Sequence, residues 1–247
     1  MVNNLDANDL HHLITVDFND VWNSVAATPN PIGRGNFMFA RQAMTLLEFA
    51  SRLCHNDVNA LADFSNALDT IERKYFTKLP SVCVNPNNEF TLPYRGNPTG
   101  DFLLWALFDQ ARHGLSHQYQ QIIGDLTDGK KFFIVLFGAN HLRSIQSIQN
   151  ARRTNHLAYC VDTDGDIGLN IDPAVLFLDF KSAIANSNLL SRGLSIDYLT
   201  RPRKKPSKSR QQTAPTTLPV PHAQLYSFDS DTLKRCLKAS GHVEIKC

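Results

Sequence analysis

The strongest constraint on this chain is a stripe of apolar residues between Asp101 and Leu126. Leu104, Leu107, Phe108, Ala111, Leu115, Tyr119, Ile122 and Leu126 recur at steps of three and four. That is the spacing of a helix face that buries itself in a core. At ~100° per residue, the polar side of the same helix carries His113, Ser116, His117 and Gln120, with Arg112 at its border. Solvated helix faces are dominated by Lys and Glu. An arginine, two histidines and a serine beside a buried stripe therefore mark the candidate site.

Three helices are expected before it. Leu10, Leu13, Ile14, Phe18, Val21, Trp22 and Val25 predict one from about Asn8 to Ala26, with His11-His12 an exposed pair near its start. The turn-rich stretch Thr28 to Gly35 breaks the chain. Asn36 can cap a second helix running through Cys54, whose two adjoining stripes (Phe37, Ala40, Met44, Leu47 and Phe39, Ala43, Leu46, Ala50, Leu53) predict burial over most of its circumference. A third starts near Asn56 or Asp57 and carries Leu61, Phe64, Leu68, Ile71 and Tyr75. Its short connection to the second predicts antiparallel packing. Leu79 to Gly100, with Pro80, Pro86, Pro93 and Pro98, is expected to be an irregular loop.

After Asp128-Gly129 the pattern changes to strand. Lys131 to Phe137 is short, apolar and β-rich, while His156 to Val161 and Ile167 to Ile171 flank Asp162-Thr-Asp-Gly-Asp166 as a hairpin. A helix from Pro173 to about Ala185 fits proline at its first position. The stretch from Arg201 to Pro221 has the composition of a flexible segment, followed by a short helix at Ser230 to Ala239. The expected fold class is α+β, mainly α. An antiparallel helical bundle carries a small C-terminal antiparallel sheet at about 130–172 and a closing helix. One domain spans 1–199, and a basic, Pro/Ser-rich tail spans 200–247.

Apolar residues make up 43% of the 247, enough for a sizeable core, and no run of 18 of them suits a membrane span. The polar N-terminus is unlike a signal peptide. Five scattered cysteines, an odd number without a C-x-x-C pair, read as reduced thiols in a cytoplasmic protein. The net charge of +2 conceals an asymmetry. Arg201, Arg203, Lys204, Lys205, Lys208 and Arg210 contribute +6, so the rest of the chain sums to −4 (+2 less +6). Attraction to nucleic acid would therefore be local or come from the tail.

Three other chemistries fail on their residues. Asp162, Asp164 and Asp166 match positions one, three and five of a calcium loop, but Ile167 and Pro173 stand where Gly and Glu are needed. His113 and His117 have the spacing of a two-histidine metal clasp, yet Gly114 occupies the place of the glutamate base and no third ligand is evident. Ser116 and His117 point ~100° apart on a helix, which does not activate a hydroxyl. No cofactor is expected.

Arg112, a polar residue, three more residues and His117 resemble the R-x4-6-H signature of HEPN domains (higher eukaryotes and prokaryotes nucleotide-binding), over roughly residues 36–126. The resemblance implies an all-helical module that forms a homodimer with two signatures facing each other. It also implies metal-independent RNA cleavage leaving a 2′,3′-cyclic phosphate, as in a toxin or defence effector. Arg112 and His117 would be catalytic. Beside that pair, His113, Ser116 and Gln120 on the same polar face, and Arg201, Arg203, Lys204 and Lys205 from the basic run, are the candidate residues for binding single-stranded RNA or a nucleotide. The chemistry suits these side chains: Arg presents a planar fork to phosphate, and His exchanges a proton near neutrality. On an ideal helix the two lie ~140° apart and about 7.5 Å along the axis, so a second copy would help complete a site. A non-catalytic nucleotide-, RNA- or protein-binding helical module is the alternative.

Overall fold

Two turns of identical sequence, Thr127-Asp128-Gly129 and Thr163-Asp164-Gly165, organise the sheet. Leu126 N–H donates to Lys130 O across the first (2.8 Å), and Asp162 N–H donates to Asp166 O across the second (3.0 Å). Each is thus a three-residue hairpin loop whose glycine takes the left-handed conformation, Gly129 at φ 76° and Gly165 at φ 83°. A computed structural model describes these loops together with residues 12, 16, 20, 40–46, 58–80, 102–107, 122–136, 155–189 and 227–246.

The first loop joins β1 (Ile122–Asp125) to β2 (Lys131–Leu136), and the second joins β3 (Tyr159–Val161) to β4 (Ile167–Ile171). Both hairpins are antiparallel, but they meet through β2 and β4, which run parallel in the order β1-β2-β4-β3. Parallel central strands that each begin just after a turn put both turns at the same end of the sheet. There Lys130 Nζ donates to Asp164 O, and Lys131 N–H donates to Asp166 Oδ1 at 2.9 Å.

The expected antiparallel bundle with an antiparallel sheet is therefore overturned: the sheet is mixed. The physical reason lies in β2 and β4. Phe132-Phe133-Ile134-Val135 is apolar on both faces, and all five residues of β4 are buried. Strands covered on both faces take the centre, leaving β1 and β3 outside. A second correction concerns the signature helix, expected to run to Leu126. Ile122–Asp125 is strand, bulged between Ile122 and Gly124.

Helices supply the rest of the core. α1 (Val58–Ile71) buries Leu61, Phe64 and Leu68 as its spacing predicts, then gives way to a 3₁₀ turn (Arg73–Phe76) capped by Glu72, so Tyr75 sits on that turn. α2 (Leu103–Ala106) is the first turn of the expected signature helix, with Leu103, Leu104, Ala106 and Leu107 buried. α3 (Pro173–Asn186) follows β4 directly. Asp172 accepts from the N–H groups of Ala174 and Val175, and Pro173 occupies the first turn. Burial of Pro173 through Phe180 marks α3 as an interior helix, and it packs against α1. Residues 40–46 are helical and bury Ala40, Ala43, Met44 and Leu46, members of both predicted stripes.

α4 (Ser230–Ala239) has the bounds predicted for it. Its Leu233 and Leu237, with Phe228 just before it, belong to the same core as the sheet, α1, α2 and α3. Within the stretch expected to be a tail, residues 227–246 are therefore packed against the body. The expectations for 201–226 lie outside the described residues. Cys236 is a free thiol but Cys160 is disulfide-bonded, with a partner outside the described residues, so the expectation of five reduced thiols fails there. No helix among the described residues is long and apolar enough to cross a membrane.

Candidate functional site

The 3₁₀ turn between α1 and α2 gathers the buried polar groups. Tyr75 is fully enclosed, its ring 5.7 Å from that of His156 and 5.7 Å from that of Phe180. Asp172 N–H donates to His156 Nδ1 at 3.1 Å, so the proton of the neutral ring sits on Nε2. That proton is donated to Tyr75 Oη at 2.7 Å, and the hydroxyl in turn donates to Asp179 Oδ2 at 3.2 Å. A chain of directed bonds thus runs from the N-cap of α3 through the turn before β3 and the 3₁₀ turn, and back to the middle of α3.

Two residues along the chain, Thr77 meets the second buried histidine. His242 Nδ1 donates to Leu157 O at 2.6 Å, which leaves Nε2 to face Thr77 Oγ1 at 2.6 Å. Burial pushes His242 down to about 4, with Lys74 adding to the effect, while hydrogen bonds to the backbone of Leu157 and Lys74 oppose it. Leu157 holds φ 60°, uncommon for a leucine, and its N–H donates to Asn170 O at 2.7 Å. This conformation aims the Leu157 carbonyl at His242.

His242 reaches this position because α4 ends in a Schellman motif. Gly241 at φ 86° donates to Lys238 O, and His242 N–H donates to Leu237 O at 3.0 Å. The other end of α4 is tied to the first hairpin loop by Asp128 Oδ2, which accepts from Ser230 Oγ (2.6 Å) and Ser230 N–H (3.1 Å). Burial alone would raise the Asp128 carboxyl, but these bonds from Ser230, with one from Lys130, hold it below its usual range.

Chemically, the Tyr75 and His242 networks are closed. His156, Asp179, Asp172, Thr77 and His242 are all buried, so no substrate reaches them from the described surface. Their effect is positional. Thr77 O receives the N–H of Leu103 (2.9 Å), and Lys78 bridges Phe102, fixing where α2 begins. α2 leads into the segment that carries the sequence-predicted site.

Arg112, His113, Ser116, His117 and Gln120 lie outside the described residues, as do Arg201, Arg203, Lys204 and Lys205. Their neighbours are placed: Leu107 on one side, and on the other Ile122, the first residue of β1. Among the described residues, no group of three or more His, Cys, Asp or Glu is arranged to hold a metal ion. Asp162 Oδ1 instead accepts from the N–H groups of Asp164 and Asp166, as the hairpin reading requires. A polar hollow of about 490 Å³ lies between α1 and the end of α3, lined by Asp63, Asn66, Thr70 and Asn186 among others.

Sequence reasoning missed the buried histidines. His156 stands at the head of a predicted strand, where nothing distinguishes it from a surface residue. His242 had one usable signal, the Ser240-Gly241 helix stop just before it. Fold and networks together define a mixed-sheet protein with helices closing its core. Comparison with protein-family models, with curated proteins and with solved structures gives no match.

Proposed function

We propose that this chain acts on single-stranded RNA, with Arg112 engaging a phosphate and His117 exchanging protons in metal-independent cleavage, at a site completed by a second copy. One observation carries the reading: Arg112, His113, Ser116 and His117 crowd into fourteen residues (108–121) between two core elements, buried α2 and β1. Arg presents a planar fork to phosphate and His exchanges a proton near neutrality, so these side chains suit phosphodiester chemistry. The HEPN-like resemblance rests on this motif, since the described fold departs from an antiparallel bundle. A cytoplasmic setting belongs to the same proposal, and the Cys160 disulfide argues against it.

The second reading is a non-catalytic nucleotide-, RNA- or protein-binding module using the same groups. The mixed sheet, a departure from the all-helical HEPN module, removes fold-level support for cleavage without bearing on these groups. The separating assay incubates RNA with the full chain in EDTA, comparing wild type with His117→Ala. Cyclic-phosphate ends produced by the wild type alone support catalysis, with a loss of about 10²–10⁴-fold expected in the variant. Binding without cleavage leaves the second reading. Neither binding nor cleavage overturns catalysis and RNA binding alike.

A further inference from the structure

Beyond the Ser240-Gly241 turn that caps α4, residues 242–246 form a short extended stretch along the outer edge of β3. Its hold on that edge is slight. Tyr159 N–H donates to Val243 O (2.9 Å), Ile245 N–H donates to Tyr159 O (2.8 Å), and Tyr159 Oη donates to Glu244 Oε2 (3.1 Å). Val243 itself is 55% exposed. What enters the core is His242, 3% exposed, seated between Thr77 and the Leu157 carbonyl.

We propose that residues 242–246 are a releasable latch, pinned by the neutral ring of His242, that covers the edge of β3 and uncovers it in acid. Without the latch, the N–H and C=O of Tyr159 point outward unpaired, the condition in which a sheet edge accepts another strand. The proposal concerns the fold alone and stands whether or not the chain acts on RNA.

The pin suits this role because its seat accepts only one charge state cheaply. Thr77 has one hydroxyl proton facing two acceptors, Lys74 O at 2.8 Å and the bare Nε2 at 2.6 Å. A second proton on the ring would satisfy those contacts, so hydrogen bonding does not forbid it. The penalty comes from enclosing a charge in a buried seat beside a cation. The titratable and charged groups on the surrounding elements are Glu72, Arg73 and Lys74 on or beside the 3₁₀ turn, Lys78 after it, His156 and Tyr159 around Leu157, Lys238 in the last turn of α4, and Glu244 and Lys246 on the latch. Lys74 opposes the second proton. Glu72 caps the 3₁₀ turn, His156 is bonded to Tyr75 and Asp172, and Glu244 is bonded to Tyr159. Release into water lifts the penalty, so protons favour the open latch.

The test is amide hydrogen exchange on the full chain between pH 7.5 and 4.5, expressed as protection factors. With a seated histidine near 4 and a free one near 6.5, the latch-opening constant should rise on the order of a hundredfold across that range. Tyr159 and Ile245 should lose protection accordingly while Ile134 and Leu169 keep theirs. In His242→Asn, whose amide can still donate to Leu157 O but does not titrate, the latch protection should be independent of pH. Should that variant not fold, the ring ¹⁵N shifts of wild-type His242 provide the second measurement. The neutral Nδ1–H form should persist while the latch is closed, and titration should track the loss of protection. Latch amides that exchange only together with Ile134 and Leu169 at every pH would overturn the proposal. So would opening that ignores pH in the wild type.

Discussion

Tyr75 and His156 are 81 positions apart in the chain and 2.7 Å apart in the fold, with Tyr75 Oη accepting a hydrogen bond from the ring and donating one to Asp179. The pair ties the 3₁₀ turn to the approach to β3, and through Asp179 to α3. Removing only the hydroxyl separates this bonding from packing, because the ring contact with Phe180 survives in Tyr75→Phe. The variant leaves a buried N–H without its acceptor and takes a donor from a buried carboxylate, each worth about 1–3 kcal/mol. We expect a loss of roughly 2–4 kcal/mol in urea unfolding. A change below about 0.5 kcal/mol would mean that other bonds at His156 and Asp179 carry the connection.

Stability should also fall in acid because of His242. Its folded value, about 4, lies below the ordinary 6.5, so the unfolded chain takes up the proton first. The contribution is present in full above pH 6.5 and is lost progressively as pH falls toward 4, to a limit of ~3 kcal/mol. Release of the latch before global unfolding would make the measured loss smaller. Urea midpoints at pH 7.5 and 4.5 should therefore converge partly in His242→Asn. An unchanged acid slope in that variant would assign the effect to other groups.

Two glycines separate conformational need from space. Gly129 is left-handed, and nothing lies within 4 Å of the point a Cβ would occupy, so Gly129→Ala should cost only the backbone term, about 1–2 kcal/mol. Gly168 has no such conformation, but a Cβ there would lie 2.8 Å from Val135 Cγ2, 3.1 Å from Phe133 Cζ and 3.2 Å from Cys160 Sγ. These groups close over the middle of β4, and Val135 is stiff at its branched carbon. Gly168→Ala should be the more damaging change, at about 2–3 kcal/mol or more. Thermal melts showing the reverse order would mean that this side of the sheet yields easily.

Local signals explain where the sequence was legible. Asp-Gly turns with flanking apolar runs marked the second hairpin and the start of β2, and the proline at its first turn marked α3. β1 stayed hidden because Ile122 and Leu126 continue the helical spacing set by Leu115 and Tyr119, and periodicity does not show where a helix stops. The parallel β2–β4 pairing was illegible for a different reason. It depends on which strands are buried on both faces, a property of the assembled core. The buried histidines have partners far away in sequence, Tyr75 for His156 and Thr77 for His242. For the candidate site itself, the motif was visible from the start, while the buried turn that fixes the beginning of α2 emerged only from the fold.

The packing of α4 changes how the basic segment has to be tested. Leu189 and Phe228 are both buried, and residues 190–226 lie between them in the sequence. Truncating the chain after Ser195 would remove Phe228, Leu233, Leu237 and His242 from the core along with the charges. Loss of RNA affinity in such a protein would report unfolding as readily as electrostatics. Replacing Arg201, Arg203, Lys204, Lys205, Lys208 and Arg210 with glutamine retains the connection and removes +6. If these cations hold single-stranded RNA by displacing counterions, each contributes about 0.7 to the slope of log affinity against log salt. The glutamine variant should then bind more weakly at low salt, with a slope shallower by at most ~4. Its melting temperature should match the wild type. An unchanged slope would place the binding surface elsewhere, with the segment between Leu107 and Ile122 the next region to test.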